Sequence, residues 1–157
     1  GAIAVSLKKS RPMWQVTASD LSADALVLAK DNAKLNRVDI SFVLADVFEN
    51  VSGCFDIIVS NPPYISENDK DEVGLNVLTS EPKMALFADE DGLAIYRQIL
   101  EDADKYLNPQ GKLYFEIGYK QGEDLRKLLS LHFPDKHVRV LKDQFGQDRM
   151  VVMDDGK

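Results

Sequence analysis

The run Phe55-Asp56-Ile57-Ile58-Val59-Ser60 is apolar enough to lie inside a sheet, and it is cut short by Asn61-Pro62-Pro63-Tyr64. Neither proline has an N–H to give to a ladder, both hold φ at about −65°, and Pro62 drives Asn61 into an extended conformation. A buried strand therefore has to end here, with the carbonyls of Asn61 and Pro62 held stiffly at its carboxyl end. Such a rigid acceptor pair suits an amino or amide nitrogen whose two N–H bonds are gripped while its lone pair points at an electrophile. Methyl transfer to nitrogen matches that requirement. The same four residues also read as an ordinary strand-terminating turn, because Asn and Pro are common there for local reasons.

Around this strand, short β-rich runs alternate with helical stretches, without internal repeat, low-complexity segment or long linker, which is an α/β pattern. Strands are expected over Gln15–Asp20, Ile40–Asp46, Phe55–Asn61, Lys112–Ile117, His137–Lys142 and Arg149–Met153. Several are apolar enough to be covered on both faces, as in a largely parallel sheet. Between the first two, Ser22 is a candidate N-cap, Asn36 a candidate terminus, and Ala25, Leu26, Leu28, Ala29, Ala33 and Leu35 form a broad apolar stripe. A second helix is expected from Leu93 to Tyr106, with Leu93, Ile95, Tyr96, Ile99, Leu100, Ala103 and Leu107 inward and Asn108-Pro109-Gln110-Gly111 as its exit turn. A third spans Gln121–His132. Only Asp143–Asp148 separates the last two strands, so they should form an antiparallel hairpin. The polar, weakly periodic segment Ser66–Asp91 reads as a long loop over the carboxyl edge of the sheet.

A length of 157 residues fits one domain over 1–157. The single cysteine, Cys54, excludes a disulfide framework, and with only His132 and His137 beside it no metal-ligand cluster is expected. A reducing, cytoplasmic compartment follows. The opening Gly1–Leu7 has no basic stretch before it and is too short to span a bilayer, so neither signal peptide nor anchor is expected. The net charge of −7 disfavours nucleic acid as a partner, since a phosphate backbone calls for a basic face.

Ligands of open α/β sheets bind beyond the carboxyl ends of the strands. Asp20 closes Val16-Thr17-Ala18-Ser19-Asp20 and is followed by Leu21; an acid there can accept two ribose hydroxyl bonds or simply favour a helix start. It lies 19 residues after Gly1, close to the roughly 20-residue interval between a glycine-rich nucleotide turn and its ribose acid. Asp46, followed by Val47 and Phe48, is a carboxylate beside apolar surface that could accept an adenine amino proton, or be a turn acid. Two acids and Asn61-Pro62-Pro63-Tyr64 on three successive strand ends are expected to share one crevice.

With those residues in view, the chain resembles the class I S-adenosylmethionine-dependent methyltransferases and, within them, the HemK/PrmC-type protein-(glutamine-N5) methyltransferases. The matching elements are Thr17-Ala18-Ser19-Asp20-Leu21-Ser22 with Ala25-Leu26, then Phe55 to Ile65. Glu81-Pro82, Ala85-Leu86, Asp91-Gly92-Leu93, Tyr96, Phe115-Glu116-Ile117-Gly118, Gln121-Gly122 and Asp148-Arg149 complete the set. The resemblance implies a Rossmann-like sheet, mostly parallel with a carboxyl-terminal antiparallel hairpin. It implies S-adenosylmethionine as cofactor and a peptide-chain release factor as partner, methylated on the glutamine of its Gly-Gly-Gln loop. Carried over by motif, the side-chain oxygen of Asn61 and the backbone oxygen of Pro62 hold the two amide hydrogens, Pro63 and Tyr64 complete the substrate contact, Asp20 takes the ribose, and Asp46, Val47 and Phe48 surround the adenine.

One departure accompanies the resemblance. The family places a strand and a glycine-rich turn before this region, and here Gly1 stands where the last glycine of that turn is expected. The first central strand and the helical amino-terminal domain are thus expected to lie outside this chain, impairing its hold on cofactor and leaving sheet edges open to self-association. Two other readings stay open. An adenine-N6 nucleic-acid methyltransferase would stack a flipped base on Tyr64 and would want a basic surface, against which the acidic stretch Ser66–Glu72 counts. A non-catalytic fragment retaining the fold would bind no cofactor.

Overall fold

The computed structural model describes residues 1–62, 65–66, 87–88 and 92–156. They fall into two compact units, Gly1–Gly53 and Cys54–Lys157.

The first unit runs helix α1 (Ala2–Ser10), strand β1 (Thr17–Asp20), helix α2 (Ala23–Leu35) and strand β2 (Ser41–Leu44). The strands pair in parallel from Thr17 opposite Ser41 to Asp20 opposite Leu44. A core of Val5, Ala33 and Ile40 joins α1, α2 and the start of β2, with Ala4, Val16, Ala18, Val38 and Phe42 packed against it. Helix α2 starts as expected at Ser22, whose extended backbone lets its hydroxyl accept the Ala25 N–H at 3.2 Å. Its end is equally defined. Asn36 is the C-cap, Arg37 takes a left-handed φ of 54°, and the N–H groups of Arg37 and Val38 bond Lys34 O and Ala33 O. That is the Schellman arrangement, completed by Val38 packing in the Ala33 cluster.

One expectation needs correction in this unit, and one helix has no counterpart among the expected elements. Of the broad stripe on α2 only Leu26, Ala29 and Ala33 are buried, whereas Leu28 is 63% and Leu35 81% exposed. A stripe that wide wraps past the face a two-stranded sheet can cover. Helix α1 was not anticipated; the β-branched Ile3 and Val5 argue locally against a helix, and burial of Val5 in the core outweighs that preference.

The second unit contains strand β3 (Phe55–Ser60), β4 (Ile65–Ser66), β5 (Phe87–Ala88), helix α3 (Ala94–Tyr106), β6 (Leu107–Glu116), helix α4 (Gly122–His132), β7 (His137–Lys142) and β8 (Asp148–Asp154). Its main sheet has the order β3-β6-β8-β7, with β3 parallel to β6 and the other two pairings antiparallel. The parallel pairing of β3 with β6 and the closing antiparallel hairpin are those expected. The Cys54 thiol lies 3.5 Å from Lys105 O. Leu113, Phe115, Ile117, Val151 and Met153 are fully buried, together with Tyr96, Leu125 and Leu129 from the helices. The Tyr96 ring meets Phe115 edge-on at 5.2 Å, which places α3 over the face carrying Phe115.

The expected exit turn after α3 lies inside β6. Between Phe55 opposite Leu107 and Ile57 opposite Lys112 the register shifts, so Asn108–Gly111 bulge out of the ladder. Pro109 gives no N–H there, and Asn108 donates its side-chain amide to Asp56 at 2.8 Å. A Cβ on Gly111 would approach Asn108 O to 2.8 Å, so the bulge needs glycine. The long loop expected over Ser66–Asp91 falls mostly outside the described residues; within it, β4 and β5 pair in parallel.

Asp143 organises the hairpin turn. Its Oδ1 accepts the N–H groups of Phe145 and Gln147 at 2.9 and 3.1 Å, and its Oδ2 accepts from Arg149 at 3.2 Å. Desolvation alone pushes the Asp143 carboxyl up, but those donors outweigh it and hold the carboxyl below the ordinary aspartate value. The Gly156 N–H, against desolvation and helped by Arg139, lowers Asp154 in the same way. A carboxyl depressed in the folded state contributes stability above its unfolded pKa and loses it as pH falls through the folded one. Thermal melts between neutral pH and about pH 3 are therefore expected to show these two contributions fading only below about pH 4. Asp143→Asn should flatten part of that decline; an equal decline in the variant would refute the assignment.

Candidate active site

The acids of the first unit stand at one edge. Asp20 ends β1, and its backbone carbonyl accepts the Ala45 N–H at 3.0 Å, so the register carries Asp46 to the same carboxyl edge. The Asp20 carboxylate is exposed, with Oδ1 accepting the Ser22 N–H at 2.9 Å. Among the described residues no hydrogen bond reaches Oδ2. Leu21, beside it, is 57% exposed.

After β2 the chain makes two consecutive turns, marked by hydrogen bonds from Glu49 N to Asp46 O and from Val51 N to Phe48 O. Val47, second in the first turn, has φ 56°, and Asn50, third in the second, has φ 61°. Asn tolerates that region; for β-branched Val47 it is an outlier, at a position where glycine is usual. A strained residue between Asp46 and Phe48, both candidate ligands, is the kind of feature that clusters at binding sites. Asp46 is exposed, and Val47 and Phe48 are half-buried.

Gly1 caps the start of α1 and accepts the Val5 N–H at 3.0 Å. A Cβ there would come within 2.6 Å of Ala29 Cβ and 3.0 Å of Ala29 Cα, so α1 and α2 approach through the missing side chain.

In the second unit, Ser60 closes β3 opposite Phe115 of β6; Asn61 follows, exposed, and then Pro62, buried. Among the described residues the Asn61 side chain makes no hydrogen bond. Pro63 and Tyr64 lie outside the described residues, as do Glu81-Pro82, Ala85-Leu86 and the acidic stretch after Ser66.

The motif residues further along form a connected network. The buried Gln121 accepts the Gly118 N–H at 2.9 Å and donates to Gly92 O at 3.1 Å. It thereby ties the approach to α3 and the end of β6 to the start of α4. The Tyr96 hydroxyl, fully buried, donates to Glu116 O at 2.6 Å. Ile117 N donates to Arg149 O at 2.9 Å. A Cβ on Gly122 would meet the Asp148 carboxylate at 2.5 Å and Val140 at 3.1 Å, so a larger residue there would have to displace those side chains. These residues build the carboxyl edge beside Asn61, a role no local spacing discloses. Among the described residues no group of three His, Cys, Asp or Glu could hold a metal ion, and no helix is long and apolar enough to cross a membrane.

Residues 1–86 match the family described as the methyltransferase small domain. The chain is 61% identical over 157 residues to the release factor glutamine methyltransferase of Streptococcus pneumoniae, covering all of this chain and 56% of that protein. The enzyme of the same description from Lactococcus lactis subsp. lactis is 46% identical over 151 residues, covering 96% of this chain and 56% of its own length. The chain thus spans about half the length of the curated relatives it matches. Among solved structures, ribosomal protein L11 methylase from Lactobacillus delbrueckii subsp. bulgaricus superposes with a TM-score of 0.68 at 22% identity, covering 98% of this chain and 63% of that one.

Proposed function

The chain belongs to the methyltransferase small domain family, and from that premise we propose that it carries the catalytic part of a protein-(glutamine-N5) methyltransferase acting on peptide-chain release factors. The observation that carries this reading is the match of the whole chain, at 61% identity, to a release factor glutamine methyltransferase. The geometry of Asn61 and Pro62 at the carboxyl end of β3 supports it. On this reading residues 1–157 form one methyltransferase domain; the family match, running through residue 86, crosses the division between the two compact units. The partner is a protein in the cytoplasm, in keeping with the net charge of −7.

The cofactor is S-adenosylmethionine, which when bound supplies a methyl group on a sulfonium. The residues of the first unit fit it: Asp20 offers a carboxylate oxygen to ribose hydroxyls at the carboxyl edge, and the Asp46-Val47-Phe48 turn offers an acid and apolar surface to the adenine. In the second unit, Asn61 Oδ1 and Pro62 O accept the two hydrogens of the substrate amide, with Pro63 and Tyr64 completing the contact. An amide nitrogen is a poor nucleophile because its lone pair is delocalised, so orientation supplies much of the rate. Acceptors on its hydrogens raise the electron density left for attack.

Calorimetric titration of S-adenosylmethionine, followed by methyl transfer to a Gly-Gly-Gln peptide, tests the reading. Asp20→Ala removes two charge-assisted hydrogen bonds to the ribose and is expected to weaken cofactor binding about 30-fold or more. Undiminished affinity in that variant would remove Asp20 from the site, and no cofactor binding by either this chain or one extended upstream to restore the glycine-rich turn would overturn the proposal.

A further inference from the structure

The register of the main sheet points to a site residue that the Asn61 motif leaves out. Strands β3 and β6 are parallel with Ser60 opposite Phe115, so Asn61 and Glu116 each lie one residue beyond that pair, at the same carboxyl edge. Neighbouring strands run about 5 Å apart. Side chains alternate along a strand and paired residues share a face, so Glu116 lies on the side opposite Phe115, the side to which Asn61 belongs. Phe115 is fully buried against Tyr96, whereas Glu116 is only partly covered. The backbone around Glu116 is pinned twice, by the Tyr96 hydroxyl on its carbonyl at 2.6 Å and by the next N–H on Arg149 O at 2.9 Å. Its carboxylate, by contrast, makes no hydrogen bond or ion pair among the described residues. A fixed backbone carrying an uncommitted acid beside the amide acceptor is the arrangement of a working group.

We propose that the Glu116 carboxylate faces the substrate amide, where it stabilises the positive charge that arrives there with the methyl group and then takes the departing proton. This rests on the reading of the chain as a glutamine methyltransferase. The nitrogen lone pair forms the new N–C bond, while the sulfur keeps the pair of the broken C–S bond. One N–H bond of the methylated, cationic amide then breaks; its proton goes to a Glu116 oxygen and its electron pair returns to the nitrogen. No strong base is needed, because an amide that has gained a methyl cation is itself a strong acid. Before transfer the positive charge sits on sulfur and afterwards on the amide, so a carboxylate at the nitrogen side favours the later state.

The test compares the native sequence, Glu116→Gln and Glu116→Asp, each in the chain extended upstream to restore the glycine-rich turn, in methyl transfer to a Gly-Gly-Gln peptide, together with binding of a peptide in which ornithine replaces that glutamine. The ornithine ammonium places a cation near the amide position, and its binding is read by calorimetry without cofactor. Glu116→Gln is expected to lower kcat about 100-fold with KM changed less than about threefold, Glu116→Asp to recover part of the loss, and Glu116→Gln to weaken the ornithine peptide about tenfold. Native kcat in Glu116→Gln, or equal binding of the ornithine peptide by the native chain and that variant, would overturn the inference and leave the methyltransferase reading standing. No transfer by the chain extended upstream to restore the glycine-rich turn would overturn both.

Discussion

Asn61→Ala is expected to lower methyl transfer to a Gly-Gly-Gln peptide by about 100- to 1,000-fold, the usual effect of removing one preorganised polar group from a reacting centre. Cofactor affinity, read by calorimetry, should stay within a few-fold of the native chain, because the adenosine contacts are assigned to Asp20 and the Asp46-Val47-Phe48 turn. The reason lies in the geometry of one strand end. Asn61 is exposed while Pro62 is buried, so the backbone is anchored one residue beyond the side chain that works. Alanine keeps the extended conformation that Pro62 imposes and deletes only the acceptor. Asn61→Asp keeps an acceptor and adds charge, so its transfer rate should fall between the other two. Transfer by Asn61→Ala at the native rate would detach the motif from the chemistry and return Asn61-Pro62 to a strand-ending turn.

What is legible in the amino-acid sequence follows the range over which each feature is determined. Ser22 and Asn36 mark the limits of α2 through bonds within four residues of themselves, and Asn61 stands out because prolines act on their immediate neighbours. The hairpin of β7 and β8 was legible for the same reason, its connection being too short for anything else. Features set by distant contacts were not. Leu28 and Leu35 have the spacing of core residues, and only the extent of the sheet decides that they face outward. Helix α1 depends on burying Val5 against residues some thirty positions away. The bulge at Asn108–Gly111 resembles a plain turn until β3 is laid beside it. Nothing around Val47 announces a left-handed residue; glycine or asparagine would have. The site divides in the same manner. Asp20, Asp46 and Asn61 were visible as strand ends, whereas the proximity of Glu116 to Asn61 exists only in the pairing register.

Gln121→Leu is expected to destabilise the second unit by about 2–6 kcal/mol, since it strands the Gly118 N–H and the Gly92 carbonyl away from their partner, each at about 1–3 kcal/mol. Leucine nearly conserves the volume, so the loss is that of hydrogen bonds rather than of packing. The amide group is specific to the position because it must accept from one backbone and donate to another. Glutamate satisfies Gly118 but turns a second oxygen on the Gly92 carbonyl, so Gln121→Glu should also be unstable near neutral pH. It should regain part of the loss on acidification, as the protonated acid recovers a donor. That rise has the opposite sign to the acid loss expected from Asp143 and Asp154, so the two are separable in melts taken against the native chain. The network reaches further than stability. Gly118 and Glu116 share the end of β6, and loosening the Gln121 tie lets that strand end move relative to Asn61. Denaturant titration of Gln121→Leu with kcat measured on the fraction still folded should therefore show both falling; native stability in the variant would remove Gln121 from the groups that hold this edge.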